Sequence, residues 1–302
     1  MYDIIVVGSG PAGLTAAVYA GRASKSVLVI EKEAFGGQVT HSPKIENYPG
    51  DLEMSGMDFA DRLLEQAIAQ GAETEFAEVT GVEELGDRKV VHTDSGDYEA
   101  KAVIIATGVK HRRLGIDREE ELEGNGVSYC AVCDGAFFEG QDVAMVGGGN
   151  SALQEAILLA GLCRKVYIVQ NLPFLTGEAK LQEKIRTLTN VEVIMPAVAD
   201  AILGGDSVTG FVIRNPETGE TRQLDVQGIF VAIGLEPSNG AFSDVASLNS
   251  YGYFDTGEDC LTRTPGIFVA GDCRSKAVRQ ITTASADGAV AALSAIRYID
   301  SL

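Results

Sequence analysis

Two stretches of this chain follow one plan: a short run of aliphatic residues, a glycine-rich turn, a segment with helical spacing, and a second aliphatic run. In the first copy Ile4-Ile5-Val6-Val7 leads into Gly8-Ser9-Gly10-Pro11-Ala12-Gly13, Leu14 to Ala20 follows, and Val27-Leu28-Val29-Ile30 ends in Glu31. In the second, Val143-Ala144-Met145-Val146 leads into Gly147-Gly148-Gly149-Asn150-Ser151-Ala152, Leu153 to Leu162 follows, and Val166-Tyr167-Ile168-Val169 ends in Gln170. Aliphatic runs without alternation suit strands buried on both faces, as in a parallel sheet covered by helices. The repeat predicts an α/β fold with two dinucleotide-binding, Rossmann-like, three-layer domains.

A lone G-x-G-x-x-G is weak, because a strand-to-helix turn often needs glycine for packing alone. Here a strand precedes it, a helix follows, and Glu31 stands 23 positions after Gly8. The glycines let backbone approach a pyrophosphate at the helix N-terminus, and the acid accepts adenosine ribose hydroxyls. The same 23 positions from Gly147 reach Gln170, so the second copy lacks the acid. An NADPH site wants arginines on the 2′-phosphate, and an NADH or FAD site an acid on the 2′-hydroxyl. Gln170-Asn171-Leu172-Pro173-Phe174-Leu175 offers neither. Either neutral amides hold a ribose hydroxyl, with Gly147, Gly149, Asn150, Ser151, Gln170 and Asn171 as the candidate set, or the scaffold no longer serves a nicotinamide.

Between the copies lies Tyr129-Cys130-Ala131-Val132-Cys133-Asp134-Gly135. A zinc site would need two further Cys or His ligands at compatible spacing. Cys163, Cys260 and Cys273 stand singly, and His41, His92 and His111 form no such pair. With two nucleotide-binding signatures flanking it, the C-x-x-C reads as a redox dithiol. A thiolate attacks one sulfur of a disulfide, and the second cysteine resolves the mixed disulfide. Asp134 supplies the proton if burial keeps it protonated; the plainer alternative is a helix-capping Asp. The other three cysteines read as small core or surface residues, Cys273 being beside Asp272.

The 43 acidic and 24 basic residues give a net charge of −19, which excludes nucleic acid and disfavours an anionic membrane surface. No run approaches the roughly 20 apolar residues of a membrane span, and Met1-Tyr2-Asp3 enters a strand without a basic leader. Five cysteines without a framework fit a reducing compartment. The expected location is the cytoplasm, with no nucleic-acid or membrane partner.

Elsewhere, Gly36-Gly37-Gln38-Val39 and Ile45-Glu46-Asn47-Tyr48-Pro49-Gly50 lie along the cofactor in a flavin reading, or are ordinary turns. Phe59 to Gln70 predicts a helix, residues 76–100 a small antiparallel sheet, and Ala102-Val103-Ile104-Ile105 a buried strand ending in Ala106-Thr107-Gly108. Lys110-His111-Arg112-Arg113 reads as a linker or a solvated basic run. Alternating strands are expected around 191–194 and 208–214. Gly266 to Ala270 is the last buried strand and ends at Gly271-Asp272. A helix from about Gln280 to Tyr298 would aim its positive end at a flavin pyrimidine, with Asp272 accepting a ribityl or pyrophosphate-side contact.

Taken in order, these motifs resemble the low-molecular-weight thioredoxin reductases over nearly the whole chain. The series runs Gly8 to Gly13, Gly36-Gly37-Gln38, Glu46 to Gly50, Ala106-Thr107-Gly108, Cys130 to Gly135, Val231-Ala232-Ile233-Gly234, Ala270-Gly271-Asp272 and Arg279-Gln280-Ile281. The resemblance implies a discontinuous FAD domain, residues 1–113 and 242–302, with the second nucleotide-type domain, 114–241, inserted and carrying the dithiol. It implies a homodimer whose inserted domain rotates between flavin and thioredoxin. Cys133 would then be the sulfur beside the flavin, Cys130 the attacker of the partner disulfide, and Asp134 the manager of the proton. The implied cofactor-binding set is Gly8, Gly10, Pro11, Ala12, Gly13, Glu31, Lys32, Gly37, Gln38, Val39, Asn47, Val79, Ala106, Thr107, Gly108, Gly271, Asp272, Arg279, Gln280 and Ile281.

One departure is specific. The family's His-Arg-Arg-Asp-x-Phe-Arg segment aligns with Val169 to Leu175, where Phe174 keeps its place and the arginines are gone. Charge-assisted phosphate contacts contribute about 1.5–3 kcal/mol each, so useful NADPH binding is not expected. The chain resembles divergent branches fed by ferredoxin, or by a second FAD in the inserted domain. NADH stays open, because Gln170 is able to accept from a ribose hydroxyl. Acidity counts against ferredoxin unless a basic patch, such as Arg112 and Arg113, meets it. The resulting expectation is a FAD-dependent dithiol/disulfide oxidoreductase acting on thioredoxin or a similar protein. Alternatives are an NAD(P)H-dependent reductase with unusual nucleotide recognition, the ferredoxin:NADP⁺ reductase type, which Cys130 and Cys133 oppose, and a flavoprotein redox sensor without turnover.

Overall fold

Tyr2–Val7 (β1) is the strand around which the first sheet is built, and Ile4, Ile5 and Val6 are fully buried in it. A computed structural model describes residues 1–42 and 45–302. Among the described residues the chain divides into two compact units, 1–110 with 236–302, and 111–235.

In the first unit, Pro11–Arg22 (α1) returns the chain to Val27–Glu31 (β2), which pairs in parallel with β1. Gly56–Ala69 (α2) then leads to Ala72–Phe76 (β3), parallel to β2. Ser55 caps α2, its hydroxyl accepting from the Asp58 amide at 3.0 Å. Val79–Leu85 (β4), Arg88–Thr93 (β5) and Asp97–Ile105 (β6) form an antiparallel meander. The meander is not a sheet of its own. No glycine or proline interrupts residues 97–105, so β6 continues from its pairing with β5 into parallel pairing with β1 and with Ile267–Val269. One seven-stranded sheet results.

Its two faces are buried by different means. Alanines of α1 and of the C-terminal helix Ile281–Asp300 pack on one face, and the other is covered by Val82, Val91, Phe242 and Phe254. Small side chains let the two helices approach closely: a Cβ at Gly288 would lie 2.1 Å from the Ala12 carbonyl oxygen.

The second unit repeats the plan. Val127–Ser128 precedes the short helix Ala131–Asp134 (α3), and Asp142–Val146 is followed by Asn150–Ala160 (α4). Lys165–Val169 leads to Ala179–Arg186 (α5) and to Val191–Ile194. The parallel sheet has the order 191–194, 165–169, 142–146, 228–231, 127–128. Leu153, Ala156, Leu159 and Ile185 bury one face, and the antiparallel strands 198–204, 208–214 and 221–224 supply Ile202, Phe211 and Leu224 to the other. Both units are thus Rossmann-type α/β structures. Among the described residues no helix is long and apolar enough to cross a membrane.

Candidate active site and nucleotide-binding turns

In an open parallel sheet, ligands collect at the carboxyl ends of the strands. In the first unit Val7, Ile30, Ile105 and Val269 lie in register across β1, β2, β6 and strand 267–269, so Gly8, Glu31, Ala106 and Ala270 emerge at one edge. Gly8 has φ +100°, and a Cβ there would lie 2.5 Å from the Ala106 carbonyl oxygen; one at Gly13 would lie 1.9 Å from the carbonyl oxygen of Gly8. Gly10 caps α1 without a side-chain acceptor, and Pro11 opens the helix, leaving first-turn amides for an anion.

Glu31 grips this turn. One of its oxygens accepts from the Ser9 amide at 2.9 Å and the Ser9 hydroxyl at 2.8 Å, the other from the amides of Lys32 and Glu33. A hollow of about 280 Å³ beyond it is lined by Lys32, Glu33, Phe76, Ala77, Glu78 and Asp94, next to Val79. Gly36 donates to Ser9, and a Cβ at Gly37 would lie 3.1 Å from Gly10 Cα, which brings Gln38 and Val39 alongside. Asn47 donates to Gln280 at 3.2 Å, just ahead of Ile281, where the C-terminal helix begins with a Gln280–Thr283 capping box. Arg279 bonds the carbonyls of Asp272 and Arg274.

Asp272 is the odd member. Its Oδ1 is buried without a hydrogen-bond partner, and burial raises its pKa to about 6 against the pull of Lys276 and Arg279. A buried, unpaired carboxylate oxygen next to a glycine turn fits a hydroxyl-bearing ligand. These donors, the unpaired acceptor and the Cβ-excluding turns fit FAD. Asn239 also belongs to this edge and was not singled out from sequence. It is 1% exposed, accepts from the Thr107 hydroxyl at 2.9 Å, and donates to the carbonyls of Gly252 and Cys273. Pro237-Ser238-Asn239-Gly240 resembles any turn, so its only local signal was composition.

In the second unit Cys130 and Cys133 are joined as a disulfide, with Cα atoms 5.3 Å apart. Cys130 occupies the N-cap of α3 and Asp134 its last position; Asp134 also stands at the N-cap of the following 3-10 turn, Gly135–Phe138, but its side chain makes no capping bond there. The Ser128 hydroxyl donates to Asp134 Oδ2 at 2.6 Å and accepts from the Cys130 amide at 3.1 Å. Asp134 Oδ1 is buried and unpartnered. Burial raises the Asp134 pKa, and the Ser128 bond opposes that shift. A carboxyl whose proton affinity burial raises, beside a dithiol, is equipped to donate a proton.

Tyr129 is anchored behind the pair. Its hydroxyl donates to Glu119 at 2.8 Å, and this carboxylate, 2% exposed, also accepts from the amides of Leu114 and Gly115. His111 stacks 5.1 Å from the Tyr129 ring, and burial lowers its pKa to about 4. Arg113 is paired with Glu120 and Glu123, and both Arg112 and Arg113 are exposed.

At the second glycine turn Gly147 has φ +132°, with a virtual Cβ 2.4 Å from the Ala232 carbonyl oxygen. Gln170 occupies the place that Glu31 has in the first unit. It is 5% exposed, its amide lies 2.6 Å from a virtual Cβ at Gly148, and its Nε2 donates to the Phe174 carbonyl. The amides of Thr176 and Gly177 both donate to the Gly148 carbonyl, and the Asn150 side chain pairs with Glu178 through two bonds. Gly149 caps α4 as Gly10 caps α1, while Ser151 and Asn171 are exposed.

Comparison with known proteins decides the family. Residues 2–288 match the model of the pyridine nucleotide-disulphide oxidoreductases. The chain belongs to that family. Together with the Cys130–Cys133 pair, this makes it a flavin disulfide oxidoreductase. The oxidoreductase is 41% identical over 298 residues to the 34.2 kDa protein in the rubredoxin operon of Clostridium pasteurianum, covering 98% of this chain and 97% of that one. It is 41% identical over 303 residues to the thioredoxin reductase of Listeria monocytogenes, covering 100% and 95%. The crystal structure of thioredoxin reductase from Streptococcus pyogenes superposes with a TM-score of 0.96 at 42% identity, covering 100% and 99%.

Proposed function

We propose that this oxidoreductase reduces the disulfide of thioredoxin or a thioredoxin-like protein with electrons that do not come from NADPH. The observation carrying the second half of this reading is Gln170. Its buried amide fills the space over Gly148, and between Lys165 and Glu178 the only cation is Lys165, which pairs with Glu192 at 2.7 Å. Nothing there offers a 2′-phosphate the bidentate charge it needs. Because residues 170–178 fold onto their own glycine turn, the reading favours a separate low-potential carrier such as ferredoxin over a second FAD or NAD(H).

Cofactor-binding roles are proposed for the edge residues of the first unit from Gly8 through Ile281 named above. FAD, when bound there, supplies two-electron redox chemistry. The reduced Cys130 thiolate attacks one sulfur of the partner disulfide, that S–S bond breaks, and a mixed disulfide forms. Asp134 gives its proton to the departing partner thiolate. Cys133 then gives its proton to the Asp134 carboxylate and attacks Cys130 Sγ; the mixed S–S bond breaks, the internal disulfide re-forms, and the partner's second sulfur leaves as a thiolate that takes that proton from Asp134. The working assembly in this reading is a homodimer, to be checked by light scattering.

The test is an anaerobic titration of the yellow protein with NADPH, then NADH, then reduced ferredoxin, following the flavin band, with thioredoxin as terminal acceptor. Bleaching by ferredoxin alone is expected. Rapid bleaching by stoichiometric NADPH would refute the donor assignment and leave the dithiol chemistry standing.

A further inference from the structure

A second carboxyl group touches the dithiol turn, and the chemistry above does not use it. Glu155 lies on the second turn of α4, the helix that begins at the second glycine motif. Its Oε2 accepts from the backbone amide of Ala131 at 3.1 Å. Ala131 is the first residue of α3, directly after Cys130, and is 1% exposed. The dithiol turn is therefore held at both ends by carboxyl groups, Glu155 at its first amide and Asp134, through Ser128, at its last residue.

The rest of the surroundings leave Glu155 electrically alone. Of the elements packed on α4, strands 142–146 and 165–169 bring Asp142 and Lys165, which are paired with Arg164 and Glu192. Helix α5 brings Lys180, Glu183, Lys184 and Arg186, all exposed. The dithiol turn brings Asp134, whose bond is to Ser128. Burial raises the Glu155 pKa, the Ala131 amide pulls it down, and no charged side chain contributes.

We propose that Glu155 is a positioning residue of the dithiol, fixing the first turn of α3 through Ala131 and setting the proton affinity of the reduced Cys130–Cys133 pair. Disulfide reduction takes up two electrons and two protons when both thiols stay protonated, and one proton when one is left as thiolate. A carboxylate on the adjacent amide disfavours that thiolate, and occupies a donor that would otherwise stabilise it. It therefore keeps the reduced pair protonated and more strongly reducing.

This rests on the dithiol reading, and its test needs no NADPH, ferredoxin or thioredoxin. The FAD-loaded protein is equilibrated anaerobically with dithiothreitol redox buffers, and the Cys130–Cys133 state is read by thiol labelling and mass as pH is varied. In the reduced protein, thiolate absorbance gives the thiol pKa. Glu155→Gln retains an acceptor for Ala131 and removes the charge. It is expected to weaken proton binding by the thiol about threefold or more and to shift the equilibrium toward dithiol by a similar factor. Glu155→Asp is expected to return both values toward the parent. If Glu155→Gln and the parent coincide in both measurements while Glu155→Ala merely loosens the turn, the residue is structural and the proposal fails. A parent disulfide that no buffer reduces would overturn the dithiol reading, and this proposal with it.

Discussion

Ser128 Oγ stands 2.6 Å from Asp134 Oδ2 while Asp134 Oδ1 has no partner, so the acid beside the dithiol is held by one oxygen and left free at the other. The Ser128 bond favours the ionised carboxyl and burial favours the protonated one. Ser128→Ala removes the first influence, and the Asp134 pKa rises further. Proton donation needs the protonated form, so activity falls as pH rises through this pKa. The alkaline limb of the rate profile for disulfide reduction should therefore move to higher pH in Ser128→Ala and lose the Asp134 contribution in Asp134→Asn. Identical limbs in parent and Ser128→Ala would remove Asp134 from the proton path.

Asp272 makes a prediction about stability. Its folded pKa of about 6 lies above its ordinary 3.8, so the folded apoprotein binds this proton more tightly than the unfolded chain. The contribution is fully present below pH 3.8 and is lost as pH rises through 6. Above that pH the ionised group costs about 3 kcal/mol. Urea unfolding of the apoprotein should show Asp272→Asn more stable than the parent at neutral pH and equal to it in acid, while the same variant retains FAD less well. Parallel stability curves across the range would contradict the assignment.

Gly148 and Gln170 should be coupled. An alanine Cβ at Gly148 meets the Gln170 side chain at 2.6 Å, and that side chain is buried. Gly148→Ala is expected to destabilise the protein by about 1–3 kcal/mol. In a Gln170→Ala background the cost should shrink by about 1 kcal/mol or more. Additive effects in a double-mutant cycle of unfolding midpoints would show that Gln170 does not occupy this space.

Glu119 accepts from three donors, Leu114 N, Gly115 N and Tyr129 Oη. Glu119→Gln replaces an accepting oxygen with a donor group and leaves one of the three unsatisfied. The expected loss is about 1–3 kcal/mol, read as a lowered urea midpoint. Tyr129→Phe should cost less, because it removes one donor and leaves the carboxylate its two amides.

Much of this was legible in the residue order. Unbroken aliphatic runs next to glycine turns specify buried parallel strands, because only such a sheet buries both faces, and the 23-residue spacing placed Glu31 and Gln170 at equivalent points of their turns. Two cysteines three positions apart can reach each other by local geometry alone, so the Cys130–Cys133 pair was legible too. What distant segments contribute was not. That β6 runs unbroken from the meander into the parallel sheet, that Asn239 holds Thr107, that Arg113 spends its charge on Glu120 and Glu123, and that Glu155 meets Ala131 each join residues whose separation in sequence carries no pattern. Hydrophobic periodicity fixes which faces are buried, whereas a hydrogen bond depends on positions within tenths of an ångström that exist only once the layers have packed.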